Sequence, residues 1–189
     1  MMGWVLRKPR KFSVFWAMLM REIHAIGISS IPIVVLMSTF IGAVISLQTA
    51  SNMDNPLLPS YTVGYITQSS VILEFSPTII SLILAGKVGS NISSEIGTMR
   101  ITEQIDALEI MGVNSLNHLI LPKVFAAVIY FPILVIFSMI LAMVGGLISL
   151  IISDLSTAET YVLGLRSWFD VYNVIYALIK TVAFGFIIV

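Results

Sequence analysis

The chain has 189 residues, 58% of them hydrophobic and 11% charged, and its ten Lys and Arg side chains balance ten Asp and Glu, for a formal net charge of zero. Globular domains carry about 25% charged residues, so this chain has less than half the usual charged fraction. Together with a mean hydropathy of +1.01, this indicates an integral membrane protein rather than a soluble one. The zero net charge argues against a nucleic-acid partner, and the absence of cysteine excludes disulfides, thiol catalysis and zinc–thiolate sites.

The N-terminal segment is basic at 7–11 and then becomes aromatic and apolar. No short apolar region with a cleavage site follows, so we expect this segment to be retained rather than removed as a signal peptide. Residues 12–25 place large apolar side chains at helical spacing and polar ones off that stripe, which predicts a helix lying in the membrane interface. The alternative is an N-terminal extension of the first spanning helix.

Four apolar runs are long enough to cross a membrane, at residues 26–50, 61–86, 124–152 and 171–189. A spanning helix needs about 20 residues at roughly 1.5 Å each. The last run stops at Val189 with no polar flank, so the chain either ends within the bilayer or has been cut short, and we expect the second. The runs predict an all-α, polytopic helical bundle that forms a single membrane domain over 1–189.

The distribution of Lys and Arg predicts the orientation of these spans. Five such residues precede the first run, none lies in 51–60, three flank or lie within 93–114, and one lies in 153–170. The N-terminus and the segment 93–114 are therefore predicted to be cytoplasmic. The other two connections are predicted to face outward.

The segment 93–114, called the coupling segment below, concentrates charge in an otherwise apolar chain. Thr102 is suited to cap a helix that begins at Glu103, and Gly112 is suited to end it after Met111. The predicted apolar side comprises Ile105, Leu108 and Met111, and the predicted acidic edge comprises Glu103, Asp106 and Glu109. The pattern predicts a short amphipathic helix, and by itself leaves open an ordinary solvated loop helix whose charges keep it out of the membrane.

The stretch AGKVGSNISSEIGTMRITEQIDALEIMGVN at 85–114, with LILPKV at 119–124, closely resembles the signature of the MlaE permease family, also called YrbE. LEFSP at 73–77 and LIKTVAFG at 178–185 add further matches, and Lys87 stands where Arg is commoner in the family. The family continues past the fourth run to a further spanning helix. The resemblance therefore implies that the last family helix is missing after Val189.

That resemblance implies the membrane subunit of an ABC-type lipid transporter. Such permeases form a homodimer in the cell inner membrane, or in a plastid inner envelope as the alternative. They bind a cytoplasmic ABC ATPase on each half and exchange phospholipid with a periplasmic MCE-domain protein. The permease itself is expected to be non-catalytic, with no catalytic residue and no cofactor. By motif match, the residues that couple it to the ATPase are Thr102, Glu103, Gln104, Asp106 and Leu108.

Glu74 and Lys180 lie near the middle of their runs, where a lone charge costs about 2.5–3.5 kcal/mol. The second and fourth runs are predicted to cross in the same direction, so the two charges can reach similar depth. Three interpretations remain open: a polar girdle in the lipid cavity near a headgroup, a structural ion pair, and a neutral Glu74 hydrogen-bonded to the backbone. An ion- or solute-coupled secondary transporter using both residues is the alternative function.

An intramembrane enzyme is the remaining class. It would need a nucleophile with a base at the same depth, but the sequence contains no G-x-S-x-G, H-E-x-x-H or G-x-x-x-x-G-K-[ST] motif. His24 and His118 have no second ligand nearby in the sequence, so no metal site is predicted.

Overall fold

The computed structural model describes residues 12–53, 59–112 and 115–189. Within these residues every regular element is helical, which confirms the all-α fold. The basic cluster at 7–11 lies outside the described residues, and so does the side chain of His118.

The N-terminal path is helical from Phe12 to Ser51, but it changes helix type along the way. Helix α1 covers Phe12–Glu22, a π-helical turn covers Ile23–Gly27, a 3₁₀ turn covers Ile28–Ser30, and α2 covers Ile31–Ser51. Pro32 lacks the N–H that would bond the carbonyl four residues back, so a regular α-helix cannot continue through this point without loss. The irregular stretch lies immediately before this proline.

A second irregular turn has the same cause. Helix α3 covers Thr62–Ser70, a π-helical turn covers Val71–Phe75, and α4 covers Ser76–Ile101. Pro77 follows the turn and lacks the N–H that would bond the Leu73 carbonyl in a regular helix. The remaining helices are α5 at Gln104–Ile110, α6 at Ser115–Ile152, α7 at Ala158–Arg166 and α8 at Val171–Ile188.

The four predicted spans are confirmed by length and apolarity, as stretches at Phe15–Ser51, Thr62–Ile101, Leu119–Ile152 and Val171–Ile188. The first two stretches have 37 and 40 residues. At about 1.5 Å per residue they exceed the roughly 30 Å hydrocarbon layer and must extend beyond it. The interfacial position of residues 12–25 stays a prediction. Helix α7 was not predicted, because its segment was interpreted as a polar connection.

The chain divides into two compact units. The first unit comprises Met1–Ser30, Leu82–Phe131 and Val182–Val189, and the second comprises Ile31–Ser81 and Pro132–Thr181. The coupling segment belongs to the first unit. Glu74, Lys180 and α7 belong to the second.

The second unit is held together by close helix approaches and buried hydroxyls. A Cβ added at Gly42 would lie 1.8 Å from the Ala142 carbonyl oxygen, so α2 and α6 are in backbone contact there. The fully buried Tyr161 of α7 places its hydroxyl 3.4 Å from Ser46 Oγ and donates to the Met143 carbonyl at 3.3 Å. These contacts join α7 to α2 and α6.

Candidate functional site

The start of α5, the helix within the coupling segment, differs from the prediction. Helix α4 runs on to Ile101, so Thr102 lies at the end of that helix, and its hydroxyl donates to the Thr98 carbonyl at 2.8 Å. The predicted role of Thr102 as an N-cap is therefore wrong. Glu103 has a φ of 57° and reverses the chain in a left-handed conformation, so α5 begins at Gln104, one residue later than predicted.

The exit confirms the predicted terminator. Gly112 has a φ of 70°, a left-handed conformation that glycine adopts without a steric cost. Its N–H donates to the Glu109 carbonyl at 2.9 Å, and the Met111 N–H donates to the Ala107 carbonyl at 3.1 Å. Helix α5 is thus bounded on each side by a residue with positive φ.

The exposed surface of α5 and its two turns is both acidic and apolar. The predicted coupling residues Thr102, Glu103, Gln104 and Asp106 are exposed, and Leu108 is half-buried. Ile105 is also half-buried, which agrees with the predicted apolar side. Met111 does not agree: it is 67% exposed, because α5 ends at Ile110 and Met111 lies in the turn beyond it. Ile101 and Ile110 are likewise exposed, at 84% and 87%.

An ion cluster centred on a buried lysine lies in the same unit as the coupling segment, and the sequence did not predict it. The Lys123 ammonium of α6 lies 2.7 Å from Glu22 Oε1 of α1 and also donates to Glu95 Oε2 of α4. Lys123 is only 2% exposed. A buried ammonium is stable only with charged or hydrogen-bonding partners. Because α4 and α6 flank α5 in the chain, this cluster joins the helices on either side of the coupling segment.

In the second unit, the Lys180 ammonium lies near a backbone carbonyl of the π-helical turn. Lys180 is half-buried, and its Nζ lies 3.4 Å from the Leu73 carbonyl oxygen. In a regular α-helix the Leu73 carbonyl would accept from residue 77, which is a proline and has no N–H. The side chain of Glu74 is exposed on the π-helical turn, and within the described residues no ion pair joins it to Lys180.

The described residues also limit the chemistry of the site. Among them no group of three or more His, Asp or Glu side chains is placed to hold a metal ion. Among the described residues, the ammonium of Lys123 binds the carboxylates of Glu22 and Glu95. This arrangement braces helices.

Comparison with known proteins adds an independent observation. Residues 19–189 match the family described as Permease MlaE. A probable ABC transporter permease protein of Rickettsia bellii is 33% identical over 184 residues, covering 97% of this chain and 69% of that protein. The intermembrane phospholipid transport system permease protein MlaE of Haemophilus influenzae is 33% identical over 144 residues, 76% of this chain and 54% of that protein. The protein TRIGALACTOSYLDIACYLGLYCEROL 1, chloroplastic, of Arabidopsis thaliana is 28% identical over 190 residues, 98% of this chain and 53% of that protein.

Proposed function

This chain belongs to the MlaE permease family, and from that premise we propose that it moves phospholipid between the inner membrane and an outer-side MCE-domain protein. It does so as the membrane subunit of an ABC-type transporter, and a separate cytoplasmic ATPase hydrolyses the ATP. The observation that carries the proposal is the family match over residues 19–189, which includes the coupling segment and the apolar spans. The relative from Haemophilus influenzae, whose name refers to intermembrane phospholipid transport, supports the choice of substrate.

The coupling segment is the proposed contact with the ATPase. Helix α5 is short, its entry and exit turns are exposed, and its acidic side chains lie beside the exposed Ile101, Ile110 and Met111. Exposed apolar side chains next to charges are typical of protein–protein interfaces. A groove with an apolar floor and a basic rim on the ATPase would complement this surface.

The ion cluster supports a mechanical role for this contact. Lys123 binds carboxylates from α1 and α4 while it lies on α6. Movement of α5 against the ATPase would therefore be passed to three helices as a group rather than absorbed in a flexible loop. In the proposed assembly two copies of the chain form a homodimer, and each binds one ATPase.

Reconstitution tests the function as a whole. The purified permease is placed in liposomes that contain labelled phospholipid and an acceptor MCE-domain protein, with or without the co-purifying ATPase. We expect phospholipid transfer only when both the ATPase and ATP are present. Transport by the permease alone on an ion gradient would contradict the proposal and indicate a secondary transporter that uses Glu74 and Lys180.

The coupling role is tested by charge reversal at the entry turn. Glu103→Lys places a cation against the proposed basic rim, so we expect capture of the ATPase to fall by about tenfold or more. The matched control is Glu159→Lys, the same change at an exposed acidic residue in the first turn of α7. Capture and lipid-stimulated hydrolysis that persist in Glu103→Lys would overturn the assigned role.

A second variant separates charge from backbone conformation at this position. Glu103→Gly removes the carboxylate but favours the left-handed conformation that the turn requires. We expect its folded yield to equal or exceed that of the unmodified chain, while ATPase capture still falls. Normal capture by this variant would mean that the turn, rather than the carboxylate, determines docking.

A further inference from the structure

A cleft of about 510 Å³ opens in the first unit. Ser94, at the start of the coupling segment, lines it, but the five proposed coupling residues and the three residues of the ion cluster do not. It lies between the irregular stretch before Pro32 and one face of α4. Its apolar lining consists of small or aliphatic side chains. Its polar lining residues are Ser29, Ser30, Lys87, Ser90, Asn91 and Ser94.

Lys87 gives the cleft a positive charge, and among the described residues no acidic side chain pairs with it. Its ammonium donates to the Ser29 carbonyl, and the cleft lining contains no carboxylate. Within the described part of the chain no ion pair includes Lys87, and the nearby Glu95 is bound by Lys123. An ammonium group has three donor hydrogens, so further N–H donors remain for a bound anion.

Neutral donors lie on the same helix face as this charge. Asn91 and Ser94 follow Lys87 at four and seven residues along α4, a spacing that aligns side chains on one face. Neither side chain donates a hydrogen bond to any residue that the structure describes. By contrast, the hydroxyls of Ser29 and Ser30 already donate to carbonyls of their own helical turns. The free donors are therefore concentrated on α4 around Lys87.

Two separate parts of the sequence place the cleft at the edge of the hydrocarbon layer. The apolar run 61–86 ends immediately before Lys87, and the run 26–50 begins immediately before Ser29 and Ser30. Lys and Arg side chains at such boundaries extend toward the headgroups. The anionic group that a membrane presents at this depth is the phosphate of a phospholipid.

We infer that this cleft binds the phosphodiester of a phospholipid headgroup, in the leaflet on the side of the coupling segment. Lys87 forms the charge-assisted contact, and Asn91 and Ser94 donate to the remaining phosphate oxygens. The site belongs to the first unit, whereas Glu74 and Lys180 belong to the second. The inferred headgroup site thus uses different residues from the lipid-cavity candidates Glu74 and Lys180, and binding at it does not require that transport occurs.

The test uses the permease with its co-expressed ATPase in nanodiscs of phosphatidylcholine and phosphatidylglycerol. A phospholipid with a photoreactive group on its headgroup is added, and crosslinked peptides are mapped by mass spectrometry. We expect crosslinks to the α4 peptide around Lys87. Loss of one charge-assisted contact should reduce their yield about tenfold in Lys87→Met, while Lys87→Arg retains most of it.

Two further variants keep the result interpretable. Asn91→Leu should also reduce the yield, which covers the case that Lys87→Met does not fold. Arg166→Met should leave the yield unchanged, because that exposed cation of α7 is not among the residues that line the cleft. An unchanged yield in folded Lys87→Met and Asn91→Leu overturns the inference.

Inorganic phosphate distinguishes the two sources of this anion. Phosphate at millimolar concentration should not compete with the labelled lipid, because the lipid is held in the membrane at high local concentration. Displacement of the label by free phosphate would assign the cleft to a soluble anion and overturn the headgroup assignment. If the crosslinks behave as expected but reconstituted transport fails, then only the proposed function is wrong.

Discussion

Pro77 and Lys180 illustrate how two ordinary residues combine into an unusual local arrangement. Pro77 has no N–H to donate to the Leu73 carbonyl four residues back, and the Lys180 ammonium lies 3.4 Å from that carbonyl. Partial solvation by a carbonyl dipole lowers the cost of holding this cation within a span. The sequence predicts a charge near the middle of this run. Its contact with the Leu73 carbonyl depends on tertiary structure and was not predicted.

Substitution of Glu74 and Lys180 tests whether they act on lipid. In Glu74→Gln and Lys180→Met the shape of each side chain is nearly kept, while the charge is lost. We expect normal folded yield and a phospholipid transfer rate reduced by about tenfold or more, since one charge-assisted contact is worth that much. The measurement is ATP-dependent transfer at matched protein amounts. A parallel loss of folded yield would instead favour the structural interpretation of these charges.

The buried phenol of Tyr161 predicts that the stability of the fold depends on alkaline pH. It lies on α7, outside the four spans, and burial raises the pKa of its phenol above the ordinary value of 10.0, although hydrogen bonds with Ser46 and Thr67 act in the opposite direction. Because the folded chain favours the neutral phenol, this stabilisation is present below the unfolded pKa and is lost as pH rises beyond 10.0. Unfolding measured from about pH 8 to about pH 11 should show this alkaline loss.

The control for that experiment is Tyr161→Phe. This variant lacks the titrating hydroxyl, so its free energy of unfolding should fall less steeply as the pH rises. At neutral pH its free energy of unfolding should be lower by about 1 kcal/mol for each lost hydrogen bond. Equal slopes in both proteins would show that burial of this phenol does not contribute to the pH dependence.

At the scale of elements, the sequence predicted what depends on local composition and missed what depends on long-range contact. The four spans follow from apolar length alone. Gly112 ends α5 as expected from its backbone freedom. In contrast, Glu103 takes the left-handed conformation because α4 continues further than its polar sequence suggests. The ion cluster joins residues 28 and 101 positions apart, so no local pattern could reveal it.

Removal of Lys123 tests the brace between these elements. Lys123→Met leaves the Glu22 and Glu95 carboxylates without their cation, and we expect a loss of about 3 kcal/mol in unfolding free energy, the lower end of the range for a broken buried pair. The lower end applies because the Glu95 side chain is 42% exposed and can turn toward water. Thermal unfolding of the purified permease in detergent measures the change.

Arg100→Met provides the matched control for this change. Arg100 is an exposed cation near the end of α4, so its loss should alter stability by less than about 0.5 kcal/mol. Lys123→Arg keeps the charge and should recover most of the stability. If Lys123→Met is as stable as Arg100→Met, the cluster does not brace the coupling segment.

At the scale of the whole molecule, the proposed mechanism depends on which face of the membrane each connection occupies. ATP is available in the cytoplasm, so the exposed α5 can meet an ATPase only on that side. The excess of Lys and Arg before the first span and around the coupling segment predicts this orientation. The same rule places α7 on the opposite face, where an MCE-domain partner is proposed.

Because the chain contains no cysteine, single cysteines can report this orientation without background. Asp106 on α5 and Glu159 on α7 form a matched pair, since both are exposed acidic residues on short helices. With a membrane-impermeant maleimide and no ATPase present, Glu159→Cys should be labelled in spheroplasts and Asp106→Cys only in inverted vesicles. The reverse pattern would place α5 away from ATP. That result would contradict the coupling role more directly than any change in transport rate, because a helix on the outer face cannot contact a cytoplasmic ATPase.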